Sequence, residues 1–309
     1  MSLEQPVVPK TAAFDRSGLM PGDILLMRSQ GQLSSLIAWF GDSIYSHAGM
    51  VGNDGTVLDA TTHGVQKNPL SARFDNDQVL FIDACRPLRY DLLPLTNEDR
   101  QLVVEHGEGL VGTPYAMDDL FMVGVLVAVR DKSLPVDDVR LRWLLHEALD
   151  HVINDNASKM ICSEFVFRCF SENAAIPTGM LAPQIVLSPP NDAPFPKVDW
   201  LALLKELWPL LRPGRQAALA AAGVQPEAAF PPGLLQAQAL TDDDFATQKA
   251  TARATLGLPE PVATAQGGSV LAWVPFPNPN PKMVTPHDLE MTPSHFVLGR
   301  VKPQASLAP

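Results

Sequence analysis

The sequence predicts an α+β fold with a Pro/Ala-rich C-terminal extension. Three observations predict it. Two short, strand-like segments, 46–52 and 56–61, flank Asn53-Asp54-Gly55, a turn signal for an antiparallel hairpin. Ile161, Phe165, Val166, Cys169 and Phe170 recur at the spacing of one helical face. Beyond Asn173 the composition changes: most of the 29 prolines lie there, beginning with Pro177, among Ala-rich stretches. The expected organisation is one α+β domain over residues 1–190 and a helical extension over 191–309. The end of that extension, Val284 to Val301, regains pattern and is a candidate strand returning to the core.

Bulk composition narrows the function classes. The chain has 309 residues, 46% of them hydrophobic, which is enough for a substantial core. A net charge of −11 and no basic run make nucleic acid a poor partner. Three cysteines, Cys85, Cys162 and Cys169, form no disulfide framework. Met1 to Gly18 lacks the apolar centre of a signal peptide, so the default expectation is the cytoplasm. Export by a signal-independent route would leave no mark in the sequence. The longest apolar run, Leu120 to Val129, is too short for a transmembrane segment. It reads as a buried helix, with a lipid-facing wall as the alternative.

The elements follow in order. Residues 1–18 are a loose lead-in, and Pro21-Gly22-Asp23 punctuates before a short apolar strand, Ile24 to Met27. Leu33 to Phe40 is helix-like and ends at Gly41-Asp42-Ser43. The hairpin comes next, and Gly64-Val65-Gln66 is placed to continue its pairing. Val79 to Asp83 is a further strand. Asn97 to Leu110 reads as a helix capped by Asn97 or Thr96. Gly112 to Tyr115 is a turn, Val139 to Ile153 a helix, and the cysteine helix follows. In the extension, Leu201 to Leu211, Gln216 to Gly223 and Gln236 to Leu256 are helical, and Pro275 to Pro281 is a polyproline-like linker.

Cys162 falls in the first turn of its helix, where unpaired N–H groups and the dipole favour negative charge. The thiolate is the nucleophilic form of cysteine. Nucleophilic use needs a base and a group to orient that base. His47 and Asp59 are the candidates. If Asn53, Asp54 and Gly55 form the loop, Gly49 faces Asp59, and His47 lies on the same face as Asp59, one diagonal step away. If only Asp54 and Gly55 form it, Asp59 turns to the opposite face. The register decides.

Other residues carry plainer readings. His63 is a loop histidine or an alternative third member. Glu164 is too near Cys162 in sequence to serve as its base and reads as a cap or ion-pair partner. Tyr115, Ser46 and Ser163 are candidates for substrate binding, with core packing as the alternative for Tyr115. His106, His146, His151, His287 and His295 read as surface or helix histidines. Cys169 and Cys85 read as core and strand-end residues. No metal site and no cofactor is expected.

At these residues a family resemblance enters. Ser46 to Gly52 (SHAGMVG) resembles the histidine strand of NlpC-type papain-like cysteine hydrolases. Gly112-Thr113-Pro114-Tyr115 resembles the turn upstream of their nucleophile, and Ile161 to Phe165 (ICSEF) the nucleophile helix. Histidine precedes cysteine, as in the circularly permuted amidase-like branch of the YaeF/YiiX kind and in lecithin–retinol acyltransferase relatives. Pro21 to Leu25 and Val57 to Ala60 fit the same pattern. The resemblance covers roughly residues 20–175. It implies a permuted papain-like fold, an antiparallel half-barrel sheet packed on the nucleophile helix. It also implies roles: Cys162 as nucleophile, His47 as base, Asp59 as orienting acid. Two departures stand out: aspartate where relatives often carry glutamate, and Ala116 where they often carry aspartate.

The expected function is a cysteine hydrolase acting on an amide, with cell-wall-type peptides as the family-level substrate. The alternatives are a lipid esterase or acyltransferase using the same residues, with Leu120 to Val129, Trp39 and Phe40 walling an acyl pocket, and a non-catalytic binding module. The expected partners are a peptide or lipid substrate and a protein partner met through the C-terminal extension.

Overall fold

The computed structural model describes residues 11–61, 63–112, 119–130, 132, 134, 138–155, 160–187, 193–225, 232–258, 274–275 and 279–303. In chain order these form β1 (Ile24–Ser29), α1 (Gln32–Phe40), β2 (His47–Val51), β3 (Thr56–Thr61), β4 (Gly64–Pro69), α2 (Ser71–Phe74), β5 (Val79–Pro87) and α3 (Asn97–Gly109). Then come α4 (Asp119–Val129), α5 (Val139–Asp155), α6 (Cys162–Ser171), β6 (Val186–Leu187), α7 (Trp200–Leu207), α8 (Pro213–Ala221), α9 (Pro232–Gln238) and α10 (Asp242–Thr255). The chain ends with β7 (Val274–Pro275), α11 (Pro286–Met291) and β8 (His295–Lys302).

The architecture is α+β. Six antiparallel strands form an open sheet in the order β4-β3-β2-β1-β5-β8. β1 is apolar on both sides and sits inside the sheet. Ile24 and Leu26 face the large core under the helices, and Leu25 and Met27 face a smaller cluster with Val57, Phe74, Ile82 and Val301. A strand with core on both faces reads as a continuous apolar run rather than an alternating one.

The hairpin adopts the three-residue loop. Met50 pairs with Leu58 and Val51 with Val57, and the Gly52 N–H donates to the Thr56 carbonyl at 2.9 Å. Asp54 and Gly55 take positive φ values of 55° and 69°, the conformation that Asn, Asp and Gly tolerate best. β4 extends the hairpin through Gly64 to Pro69.

Thr96 is the cap of α3. Its hydroxyl accepts from the Asp99 N–H, and the Asp99 carboxylate accepts from the Thr96 N–H. The same reciprocal box at Thr241 and Asp244 divides the expected helix 236–256 into α9 and α10. The Ala-rich periodicity runs through that break, but Leu240 and Thr241 leave the helix so that Thr241 can cap α10.

Leu120 to Ala128 are buried on every side, so α4 is a core helix packed on α1, α5 and α10. A Cβ on Gly124 would come 2.3 Å from the Ala148 carbonyl oxygen, so α4 and α5 cross where only glycine fits. Phe40, Leu126 and Val127 also line a cavity with Leu134 and Phe245. No helix among the described residues is long and apolar enough to cross a membrane.

The residues after 193 pack into the same apolar cluster through Leu203, Leu204, Leu207, Leu219 and Leu289. The Glu206 carboxylate accepts from the Gln32 and Leu33 N–H groups and so caps α1 from a distant part of the chain. β8 pairs with β5 at the sheet edge. Asp83, fully buried on β5, accepts both Nε and Nη2 of Arg300 at 2.8 Å and the Tyr45 hydroxyl at 2.7 Å. Within the Pro275 to Pro281 linker, residues 276–278 lie outside the described residues, and Pro281 opens a short 3-10 turn through Met283.

Candidate active site

The hairpin register determines which side chains can meet. The pairing of Met50 with Leu58 leaves Gly49 against Asp59, where a Cβ on Gly49 would lie 3.1 Å from the Asp59 Cβ. His47 and Asp59 therefore project from one face, a diagonal step apart. The His47 Nε2 and Asp59 Oδ2 atoms are 2.9 Å apart. Asp59 is fully buried, while 22% of the His47 side chain remains exposed.

Cys162 is the first residue of α6, entered from the extended Ile161. Ile161 has no hydroxyl to cap the helix. Glu164 folds back instead, and its carboxylate accepts from the Ile161 N–H at 3.3 Å and from Arg168 Nε at 3.0 Å. The Cys162 N–H lies among the first-turn donors that have no intrahelical acceptor. The residue is fully buried.

Helix α6, which Cys162 opens, packs against β2 and β3, the strands that carry His47 and Asp59. Burial works against a charged imidazole. Attraction to the Cys162 sulfur, hydrogen bonds to Asp59 and Cys162, and attraction to Asp59 outweigh it and push His47 up to about 10. Burial likewise opposes ionisation of Asp59, but the hydrogen bonds and charges of His47 and Arg73 hold it below the usual carboxylate range.

Arg73, on α2, is the participant that the sequence did not suggest. Its Nε donates to Asp59 Oδ2 at 2.8 Å and its Nη2 to Oδ1 at 3.1 Å. It lies 14 residues beyond Asp59 with no periodic relation to it, so no pattern in the sequence marks it.

The remaining candidates are placed as follows. The Ser46 hydroxyl accepts from Ser34 Oγ at 2.7 Å and from the Ser29 N–H at 3.3 Å, inside the fold. The Ser163 hydroxyl donates to the Val284 carbonyl at 2.8 Å, tying the C-terminal tail to the residue after Cys162. Tyr115, Ala116 and the Thr113-Pro114 part of the turn lie outside the described residues. His63 is exposed near the end of the hairpin. Cys85 and Cys169 are buried, and burial pushes both thiols upward. Among the described residues no three His, Cys, Asp or Glu side chains converge as a metal-holding set.

The chain is α+β, with the strand histidine His47 bonded to the buried Asp59 and the helix-start Cys162 on the helix packed against their strands. No family model matches the chain, and no curated protein matches its sequence. Among solved structures it is similar to the metalloprotein yiiX from Escherichia coli O157:H7, at 20% identity and a TM-score of 0.32. The likeness covers 50% of this chain and 66% of that one. The functional reading rests on the site.

Proposed function

We propose that the chain is a cysteine hydrolase that transfers an acyl group from an amide through Cys162. The observation that carries this reading is the His47–Asp59 contact at 2.9 Å on strands packed against α6, the helix that Cys162 opens. In the proposed reaction His47 holds the proton of Cys162, and the thiolate attacks the carbonyl carbon. The developing oxyanion takes the Cys162 backbone N–H. The His47 imidazolium then gives its proton to the leaving amine, and the C–N bond breaks. A water molecule, deprotonated by His47, attacks the thioester and releases the acid. Asp59 holds the ring in the tautomer and orientation that both steps need. The N-terminal position of His47 relative to Cys162 and the sequence resemblance support the permuted papain-like form of this chemistry.

A second reading has one observation in its favour. Cys162 has no exposed surface, which suits a binding module that keeps the fold without the reaction. Incubation with cell-wall stem peptides and, separately, with phosphatidylcholine vesicles discriminates among the readings. Release of a peptide fragment, abolished in Cys162→Ala, supports the amide hydrolase. Release of fatty acid, abolished by the same variant, moves the substrate class to lipid esters. Turnover of neither, with a Cys162 inert to iodoacetamide in the folded protein, favours the binding module.

A further inference from the structure

We propose that Arg73 is a positioning residue for the Cys162–His47 pair, acting through Asp59: its guanidinium fixes the carboxylate and balances its charge, so that the proton on His47 is held for the sulfur. This rests on the cysteine-hydrolase reading and names the residue that tunes that site.

The geometry points to this role in three ways. Asp59 accepts three hydrogen bonds, one from His47 and two from the Arg73 fork, and it is fully buried. A carboxylate gripped at both oxygens has one orientation, and that orientation aims Oδ2 at the His47 ring. Arg73 is itself fixed to the strands that carry the pair. The Arg73 N–H bonds the Leu70 carbonyl, and the Leu70 N–H bonds the Gly55 carbonyl in the hairpin loop. Phe74, the next residue, is buried in the smaller core cluster. Anchor and anchored group thus move as one unit.

Charge balance is the third. The groups acting on His47 are Cys162 from α6 and Asp59 from β3, and those acting on Asp59 are His47 from β2 and Arg73 from α2. With the sulfur ionised and His47 protonated, Asp59 and Arg73 bring the set to neutrality. Without Arg73 the same buried set carries one excess negative charge, which disfavours the thiolate. Asp59 alone would also compete with the sulfur for the imidazolium. Arg73 removes that competition without removing the hydrogen bond.

The test is thiolate absorbance at 240 nm against pH, using the full chain and subtracting a Cys162→Ser variant. Cys85 and Cys169 are silent over the working range because burial pushes their thiols upward. In Arg73→Met the midpoint of thiolate formation is expected to rise by about one pH unit. Arg73→Lys keeps the charge but not the two-point grip, and its midpoint is expected to return most of the way to that of the parent protein. Should Arg73→Met not melt cooperatively, Arg73→Gln, which is polar but uncharged, replaces it with the same expected shift. A folded Arg73→Met or Arg73→Gln with the parent midpoint overturns the proposal, as does an Arg73→Lys as shifted as Arg73→Met. A parent protein with no step removed by Cys162→Ser overturns the hydrolase reading itself, whereas a step present but unmoved by the Arg73 variants overturns the role of Arg73 alone.

Discussion

Gly49 stands across the hairpin from Asp59 in tight quarters: a Cβ there would lie 3.1 Å from the Asp59 Cβ and 3.1 Å from the Met27 Cε. The close approach of β2 and β3 at this point lets His47, two residues earlier, reach the aspartate diagonally. The glycine is therefore part of the site.

Gly49→Ala is expected to push the two strands apart or tilt the Asp59 side chain. Overpacking of this kind costs about 1–3 kcal/mol, read as a lower urea midpoint. The sharper outcome is electrostatic. As Asp59 withdraws from Nε2, the His47 titration should move down from about 10, which NMR of the ring follows. An Ala variant with unchanged stability and an unchanged His47 titration would falsify the constraint assigned to this glycine.

Asp59→Asn separates geometry from charge. The amide keeps the shape of the side chain but cannot accept at both atoms from Arg73, and it no longer attracts the imidazolium. Arg73 then lies mostly buried beside a neutral group, at a cost on the order of 3 kcal/mol. His47 should titrate lower than in the parent, because both the hydrogen bond and the charge of Asp59 raise it. Denaturant unfolding and a histidine NMR titration of the same sample check both outcomes, and a variant with the parent His47 titration contradicts the assignment.

The pH dependence of stability has a definite sign. The folded His47 value, about 10, lies above its ordinary 6.5. Its contribution is therefore complete below about 6.5 and is lost as pH rises towards 10. Asp59 is shifted the other way. Its contribution is present above the ordinary carboxylate range and is lost on acidification through its depressed value. Urea midpoints should fall between pH 6.5 and 10, and His47→Gln should flatten that decline. A decline as steep in His47→Gln as in the parent assigns the alkaline loss to other groups.

The hairpin was legible because Asn53-Asp54-Gly55 offers residues that tolerate positive φ, but its register stayed open between a two- and a three-residue loop, and the structure selects the latter. The apolar strand at Ile24 and the Thr96 cap were legible for similarly local reasons. Arg73 was not. Nothing local distinguishes it from a surface arginine, and its partner is fixed by where α2 lands after β4. The split at Thr241 was hidden because helical periodicity continues across it, although the Thr-x-x-Asp spacing was there to be read. A buried core cysteine was one of the two readings open for Cys162, and the long-range packing that decides its burial is not local. The tail that bonds Ser163 at Val284 comes from 121 residues away.

Ser163 provides a final test of what the tail does. Its hydroxyl is buried and donates to the carbonyl of Val284, also buried. Ser163→Ala leaves that carbonyl without its donor, a loss of about 1–2 kcal/mol, and the thermal midpoint should fall by a few degrees. The same variant should leave the Cys162 thiolate step in place, because the hydroxyl points at the tail and not at the His47 ring. If stability is instead unchanged while binding of a stem peptide weakens, the hydroxyl is available to a ligand and the tail contact is not its principal use. A loss of stability with unaltered peptide binding assigns Ser163 to the seam between α6 and the returning chain, where it holds the segment before α11 against the first turn that presents Cys162.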